Sequence, residues 1–329
     1  MKKFLALITL ALLLAGCKGT KALLPNVSGK AGEIVVVMDK PYWVGGRGND
    51  VRGLLASDCP YLAQKEPLYS LVNVVPSQFG DIFKIHRNIV IMNINPQVDS
   101  SSIVFRHDVW SQPQCVIQIS AADTTGAAAV LKQRSSLILA SIEQAERDRV
   151  IHNTMQYEEK DIAPKVKEIF GGSLHFPVGY KIRKATNDFM WIAYDTQYVY
   201  QDAFIYRYPV DKDNPFSEEN IIMHRNEVLE ANVPGMFDNT FMTTSQMFPV
   251  TIESLKYKDR RFVQTRGLWE VKNDFMGGPF VSHSFYSQDG KYIIVLEAWI
   301  YAPRFDKRQY LRQAESILYT WEWGEKGAN

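Results

Sequence analysis

Three carboxylates near aromatic side chains, Glu270, Asp274 and Glu297, are of a type that could catalyse glycoside hydrolysis. That reaction needs two carboxyl groups at a set separation in space, which no linear spacing reveals. The simpler explanation is that they are solvated charges and turn residues, as most carboxylates in proteins are. The sequence therefore leaves a glycan- or peptidoglycan-acting hydrolase with paired carboxylates as an alternative and does not identify the pair.

Other catalytic and metal motifs are absent or incomplete in the sequence. The chain contains neither Gly-x-Ser-x-Gly nor Ser-x-x-Lys, and its six histidines never occur at the spacing His-Glu-x-x-His. Residues 211–214 read Asp-Lys-Asp-Asn and begin like a calcium loop, but Pro215 and Phe216 follow where a ligand and the turn glycine are needed. We expect no metal and no cofactor.

Two tryptophans are the side chains best suited to bind a ligand. Trp43 follows the first predicted strand and precedes a glycine-rich loop, and Trp269 stands near the turn residues Asn273 and Asp274. An exposed indole can stack on a sugar or peptide while a turn supplies hydrogen bonds. The sequence predicts a candidate binding surface made of these four residues. The alternative is that Trp269 packs in the core of a sheet.

The first seventeen residues have the layout of a secretory signal peptide. Lys2 and Lys3 precede an apolar run from Phe4 to Leu14, which is too short to span a membrane. The run leads into Leu-Ala-Gly before Cys17, a pattern that resembles the lipobox of bacterial lipoproteins. The resemblance implies cleavage before Cys17, a diacylglyceryl group on its thiol and a third acyl chain on its amine. The alternative is an ordinary secreted protein in which Cys17 only follows the cut.

Charge and the residues after Cys17 indicate location and exclude one class of partner. Removal of residues 1–16 takes two lysines from the 37 basic residues, so that 35 remain against 36 acidic ones. This balance excludes a nucleic-acid binder, which would be strongly basic. Residues 18–21 include no acidic run of the kind found in surface-export signals. We expect an outer-membrane lipoprotein that faces the periplasm, with its lipid as the membrane contact.

Two further cysteines, Cys59 and Cys115, leave two interpretations open. An oxidising compartment permits a disulfide between them. Cysteine is also among the residues most often buried without pairing, so two separate buried thiols are the alternative. Sequence alone does not show whether the two Cα atoms come close enough for a disulfide.

Composition and periodicity predict an α+β fold with two similar-sized parts. The fold is expected to have largely antiparallel sheets with helices packed on one face. A signal peptide over 1–16 and a flexible tether over 17–32 precede an α+β domain over 33–155 and a second over 156–329. Among the strands, the sequence predicts Asn88–Ile94 and Tyr292–Tyr301, and Asp289-Gly290 predicts a hairpin turn before the second of these. Apolar residues at three- and four-residue steps predict a long helix that is capped by Asp123 or Thr124 and continues through Ala145, and a final helix over Lys307–Trp321.

The second domain contains a candidate internal repeat. Asn-Asp-Phe-Met occurs at residues 187–190 and again at 273–276, each time after a predicted strand and before two more strands and a helix. This order predicts a duplicated β-β-β-α unit over residues 175–323. The alternative is that Asn-Asp recurs because it suits turns.

Several segments together resemble an uncharacterised lipoprotein family of the Bacteroidota, known as domain of unknown function 4837. The resemblance extends over nearly the whole mature chain. It is carried by residues 24–34, 41–43, 86–89 and the Gly-Leu-Trp-Glu to Met-Gly-Gly-Pro-Phe segment over 267–280. The family implies a cell-envelope location and assigns no catalytic residue or ligand.

These observations favour a lipid-anchored envelope protein that binds a ligand or assists envelope assembly without catalysis. The expected partners are the membrane, through the lipid on Cys17, and an envelope glycan, peptide or protein. The paired-carboxylate hydrolase is the alternative, and a subunit of a larger envelope complex is a third hypothesis. An exposed apolar patch would favour that third hypothesis.

Overall fold

The structure is a computed structural model that describes residues 23–210 and 213–324. The predicted signal peptide, Cys17 and the first part of the predicted tether lie outside the described residues. The tether prediction is wrong for its last residues, because hydrogen bonds tie them to the folded chain. Gln112 N donates to Pro25 O, and Ser28 N donates to Ile85 O.

The N-terminal part is a mixed sheet with helices. Its strands are β1 (Glu33–Val37), β2 (Ser70–Val74), β3 (Asn88–Ile94), β4 (Ser102–His107) and β5 (Cys115–Ala121). Its helices are α1 (Lys40–Val44), α2 (Gly46–Leu55), a 3-10 turn (Pro76–Gln78), α3 (Asp81–Lys84), α4 (Thr124–Gln133) and α5 (Ser135–Gln156). The strand order is β2-β1-β3-β5-β4, in which only β4 is antiparallel to its neighbour.

The apolar run in β1 explains the parallel pairing. Ile34 and Val36 contact a core shared with α2, α4 and α5, while Val35 and Val37 contact a second core on the opposite face. A strand buried on both faces reads as a continuous apolar run, as central parallel strands do. α4 starts at Asp123, whose carboxylate accepts a hydrogen bond from Gly126 N at 2.8 Å, as expected of an N-cap.

The C-terminal part is built on an antiparallel sheet. It contains α6 (Ile162–Phe170), β6 (Gly172–Ser173), β7 (Lys181–Ala185), β8 (Phe189–Ala193), β9 (Tyr200–Pro209), α7 (Glu218–Asn232), β10 (Met242–Thr244), β11 (Thr251–Tyr257), β12 (Arg260–Val271), β13 (Gly277–Tyr286), β14 (Tyr292–Tyr301), α8 (Arg308–Leu318) and β15 (Glu322–Trp323). The order of the large sheet is β10-β12-β13-β14-β9-β8-β7, and β11 also pairs with β12. The α+β class predicted from the sequence is confirmed.

Helices cover both faces of this sheet, which differs from the expected packing on one face. On β14, Ile294 and Leu296 contact the core that contains α8, whereas Ile293 and Val295 contact the core that contains Leu229 of α7. The physical reason is that β14 is apolar at consecutive positions, so both of its faces need a cover. The predicted hairpin between β13 and β14 is present, with Gly290 at φ 71°.

The strands of the two candidate repeat units lie in mirror-image order across the large sheet. β12-β13-β14 is followed across the sheet by β9-β8-β7, and the two third strands, β14 and β9, pair with each other. The helices that follow these units, α7 and α8, nevertheless pack on opposite faces. The two Asn-Asp turns also differ, because Asn273 has φ 64° while Asn187 is not in the left-handed region.

Candidate functional site

A cleft of about 540 Å³ lies between the N-terminal and C-terminal parts, beside the last turns of α5. We call it the α5 cleft. Its N-terminal walls include Asn26, Val27, Ala31, Arg87, Gln112, Pro113, Glu146, Arg149, Val150, His152, Asn153 and Thr154. Its C-terminal walls include Pro177, Val178, Tyr180, Tyr194, Gln201, Gln313 and Ile317.

The spacing of residues on α5 explains which of them line the cleft. Glu146, Arg149, Val150 and Asn153 recur at three- and four-residue steps, so their side chains lie along one stripe of the helix. Glu146 and Arg149 are buried although both are charged. Buried charges of this kind are stable only when they are paired and hydrogen-bonded.

Arg149 and Glu146 form a buried hydrogen-bonded cluster with Asn88. Arg149 Nη2 donates to Asn88 Oδ1 at 2.6 Å and to Glu146 Oε1 at 2.8 Å. Asn88 Nδ2 donates to the same Glu146 oxygen at 2.7 Å. Burial raises the pKa of the Glu146 carboxyl, but the Arg149 and Arg87 guanidinium groups outweigh burial and hold the pKa below its usual value. Glu146 is therefore ionised at neutral pH.

Arg87 is a poorly paired cation in the same cleft. Its Nη1 lies 3.7 Å from Glu146 Oε2, which is an ion-pair distance but not a hydrogen bond. Its buried Nε has no hydrogen-bond partner among the residues that the structure describes. Burial lowers the pKa of this guanidinium below its usual value, yet arginine stays protonated at any physiological pH.

Two further polar atoms of the cleft lining are also without protein partners. These are the Thr154 hydroxyl and Arg149 Nε, and within the described part of the chain neither has a hydrogen bond. Thr154 is only 1% exposed. Because most buried polar groups are hydrogen-bonded, three unpartnered donors along one cleft indicate a place where a ligand or water supplies acceptors.

The opposite wall of the cleft is aromatic. The rings of Tyr180 and Tyr194 stack with centroids 5.2 Å apart and an interplanar angle of 28°. Apolar walls with a few converging polar groups are typical of small-molecule sites. Tyr180 is buried and Tyr194 is half-buried, so the cleft lining combines one accessible aromatic ring with the guanidinium groups of Arg87 and Arg149.

Comparison with known protein families divides the chain at the α5 cleft. Residues 159–320 match the family described as domain of unknown function DUF4837. Residues 27–155 match a second domain of unknown function, DUF8532. Arg87 and the α5 residues lie in the DUF8532 segment, and the two tyrosines lie in the DUF4837 segment.

Comparisons with individual proteins add little. No curated protein matches the chain. A solved structure with some similarity is the Ran-binding protein Mog1p of Saccharomyces cerevisiae, at 8% identity and a TM-score of 0.32. The match covers 46% of this chain and 90% of Mog1p.

A second cleft, of about 770 Å³, lies against the preceding turns of α5 and holds charges that are paired. Arg312 of α8 donates to both carboxylate oxygens of Glu143, at 2.8 and 3.0 Å. Arg266 Nη2 donates to Glu315 at 2.6 Å. The Arg312–Glu143 contact joins the DUF4837 and DUF8532 segments, whereas the Arg266–Glu315 contact lies within the DUF4837 segment.

The predicted binding surface is wrong at Trp269. Its side chain is 1% exposed, its Nε1 donates to Ile300 O at 3.2 Å, and its ring packs edge-on against Trp299 at 5.0 Å. Trp269 is buried because it faces the core under α7. Asn273 and Asp274 do form a turn, in which Asp274 Oδ1 accepts a hydrogen bond from Phe275 N at 2.6 Å.

Trp43 also differs from the expected position at a loop. It lies within α1, half-buried against the N-terminal core, with the Arg52 guanidinium 4.7 Å from its ring centre. The glycines that predicted a loop instead permit close helix packing, because a Cβ on Gly48 would lie 1.8 Å from Trp43 O. Neither tryptophan lines the α5 cleft.

The three candidate carboxylates do not form an active site together. Glu297 is 0% exposed and binds Arg225 in a bidentate pair, with oxygen to nitrogen distances of 2.7 and 2.9 Å. Burial raises the pKa of Glu297 above its usual value, although Arg225 counteracts it. Asp274 lies in the β12–β13 turn and Glu270 on β12. None of the three lines the α5 cleft.

The disulfide between Cys59 and Cys115 is not formed, because both thiols are free. Cys59 borders the second cleft, and Cys115 is buried in the N-terminal core with its sulfur near Ser141 O. Burial raises the pKa of both thiols to about 11.

The described residues include neither a cluster of metal ligands nor a membrane-spanning helix. Residues 23–210 and 213–324 contain no group of three or more His, Cys, Asp or Glu side chains that could hold a metal ion. No helix in the same ranges is long and apolar enough to cross a membrane.

Sequence reasoning missed the cleft residues themselves. Arg87 lies in segment 86–89, which carries part of the family resemblance but predicts no role for this arginine. The usable signal was on α5, where Glu146, Arg149 and Asn153 place a polar stripe on a helix predicted from its apolar residues. The sequence pattern does not show that α4 and α5 are separate helices, which meet at Arg134. Leu131 and Ile138 are seven residues apart, so the apolar face continues in phase from one helix to the next.

Proposed function

We propose that this chain is a lipid-anchored cell-envelope protein that binds a small polar ligand, or the end of a larger one, in the α5 cleft. The observation that carries the proposal is the set of three unpartnered buried donors, on Arg87, Arg149 and Thr154, along one cleft. A volume of about 540 Å³ is in the range of small-molecule sites.

The state of Glu146 favours binding over acid–base catalysis at this cleft. It is the one carboxylate among the lining residues, and it is held ionised by Arg149, Arg87 and Asn88. A general acid needs a pKa near the working pH, and paired-carboxylate hydrolysis needs a second carboxyl group opposite the first. Glu146 does not meet the first requirement, and the described lining residues include no second carboxylate.

The envelope location rests on the lipobox resemblance at Cys17. We propose that the chain is an outer-membrane lipoprotein of the Bacteroidota that faces the periplasm. Pro25 is bound to the folded part and is eight residues along the chain from Cys17. Eight extended residues span at most about 28 Å, so the neighbouring cleft wall at Asn26 would lie close to the membrane. An envelope component is then the nearest ligand source.

The binding proposal is tested with four probes that form two matched pairs. These are N-acetylglucosamine with N-acetylmuramic acid, and N-acetylglycylglycinamide with N-acetylglycylglycine. Each is titrated at millimolar concentration while the side-chain amide NMR signals of Asn153, Gln201 and Gln313 are followed. We expect at least one probe to shift these signals in a saturable manner.

A variant that blocks the α5 cleft tests whether the probes bind there. Val178 lines the cleft and is 63% exposed, so Val178→Trp fills the mouth of the cleft without disturbing the core. We expect it to abolish the shifts, while Val104→Trp, on exposed β4, leaves them unchanged. The proposal is overturned if no probe shifts the cleft signals, or if Val178→Trp binds as well as the wild type.

A further inference from the structure

We infer that the α5 cleft recognises a carboxylate, and that Arg87 is the residue that binds it. This inference rests on the proposed function and names the chemical class of its ligand. It follows from the contrast between two arginines of one cluster, from the charge of the lining and from the shape of the guanidinium group.

Arg149 and Arg87 both contact the Glu146 carboxylate, but they differ in the number of hydrogen bonds that they donate. Arg149 makes hydrogen bonds to Asn88, Glu146, Pro113 O and Arg87 O. The Arg87 guanidinium makes none to the described residues, and its closest counter-charge is 3.7 Å away. The donors on Arg87 Nη1 and Nη2 are therefore not used in hydrogen bonds to the described residues.

The charge of the lining is suited to one negative charge. Arg87 and Arg149 are its two guanidinium groups, and Glu146 is its only carboxylate. Glu33, which acts on Arg87 from outside the lining, is bound to His86 at 2.8 Å. The described lining residues Arg87, Arg149 and Glu146 thus carry one more positive than negative charge. A monoanion balances this excess, whereas a phosphate monoester carries nearly two charges at neutral pH.

The donors available match a planar anion with two acceptor oxygens. A guanidinium group offers parallel N–H donors in a fork, which a carboxylate accepts in bidentate fashion. Thr154 and Arg149 also line the cleft, and the Thr154 hydroxyl and Arg149 Nε are buried donors without a partner among the described residues. Tyr194, which is half-buried and stacks on the buried Tyr180, provides an aromatic surface for the rest of the ligand.

The matched probes test the inference on the wild-type protein. N-acetylmuramic acid or N-acetylglycylglycine should bind at least tenfold more tightly than its neutral partner, measured as the dissociation constant from the NMR titration. If the neutral member of a pair binds equally well, the carboxylate inference fails while the binding proposal stands. If none of the four probes binds, both fail. Tighter binding of methyl phosphate than of either acid also overturns the inference.

A variant tests the role of Arg87 directly. Arg87→Met keeps the length of the side chain and removes its charge, and we expect it to lose at least tenfold in affinity for the acidic probe. Its melting temperature without ligand should fall only modestly, because Glu146 loses Arg87 as a counter-charge but keeps its hydrogen bonds to Arg149 and Asn88. Arg106→Met, which removes an exposed arginine hydrogen-bonded to Gln118, is the control and should bind normally. Unchanged affinity in Arg87→Met would contradict the assignment, and if that variant does not fold, the probe pairs still decide the question.

Discussion

The neighbours of each large side chain decide its role. Trp269 and Trp43 have equal aromatic character, yet one is enclosed by Trp299, Tyr301 and the Ile300 carbonyl and the other lies partly open beside Arg52. Arg225 and Arg87 differ in the same way, since the first is bidentate with Glu297 and the second has no hydrogen bond within the described chain. The proposed role of Arg87 in binding rests on this difference.

Trp269→Ala is expected to destabilise the fold. Loss of a large buried aromatic and the cavity it leaves should lower the free energy of unfolding by about 3–5 kcal/mol. Urea denaturation of the variant measures the change. Trp43→Ala serves as the matched control, and it should cost less than half as much because Trp43 is only half-buried. Equal losses in the two variants would contradict the assignment of Trp269 to the core.

At the scale of elements, α5 and α8 connect the two family segments. Glu143 of α5 is bound by Arg312 of α8, and Tyr69 donates a hydrogen bond to the same carboxylate. Burial raises the pKa of Glu143, but Arg312 outweighs burial and the pKa lies below its usual value. A lowered carboxyl pKa contributes stability above the unfolded-state pKa, and that stability is lost as the pH falls through the folded-state value.

Arg312→Met should therefore destabilise the protein in a pH-dependent way. At pH 7 the free energy of unfolding should fall by about 2–3 kcal/mol, because an ionised Glu143 is left without its partner. Below about pH 4 the difference from the wild type should shrink, since Glu143 becomes protonated. Denaturation at several pH values measures this. Arg47→Met, which removes an exposed pair with Asp50, should have little effect. A difference independent of pH would contradict the role of the ion pair.

At the scale of the whole molecule, the ligand cleft and the predicted anchor are close along the chain. The hydrogen bonds of Pro25 and Ser28 fix the start of the folded part beside the cleft wall formed by Asn26 and Val27. These described residues of the predicted tether are therefore bound to the folded part. A lipid on Cys17 would hold the cleft near the membrane surface.

Cys17→Ala should release the protein from membranes. Stable attachment needs two or more acyl chains, and all of them depend on this cysteine in a lipoprotein. Membrane fractionation of cells that express the variant measures the release. Cys59→Ala removes a different thiol and should stay with the membrane. An unmodified Cys17 in mass spectrometry of the wild-type protein would refute the anchor.

The sequence by itself determined the local elements, because short-range preferences specify them. The predicted strands Asn88–Ile94 and Tyr292–Tyr301 match β3 and β14, and the Asp289-Gly290 turn and the final helix are where apolar periodicity and turn chemistry place them. It also limited the chemistry, since no metal or nucleophile motif is complete. These signals lie within about a dozen neighbouring residues.

Only the tertiary structure decided which residues meet. Arg87, the α5 residues Arg149 and Thr154, and Tyr180 come from three separate parts of the chain. They share a cleft because α5 and α8 pack the DUF8532 segment against the DUF4837 segment. Burial of Trp269 depends on α7, which covers one face of the large sheet. The alternation of side chains along a strand does not indicate which face a helix covers. The missing partners of Arg87 are likewise a property of three-dimensional surroundings, which no linear pattern encodes.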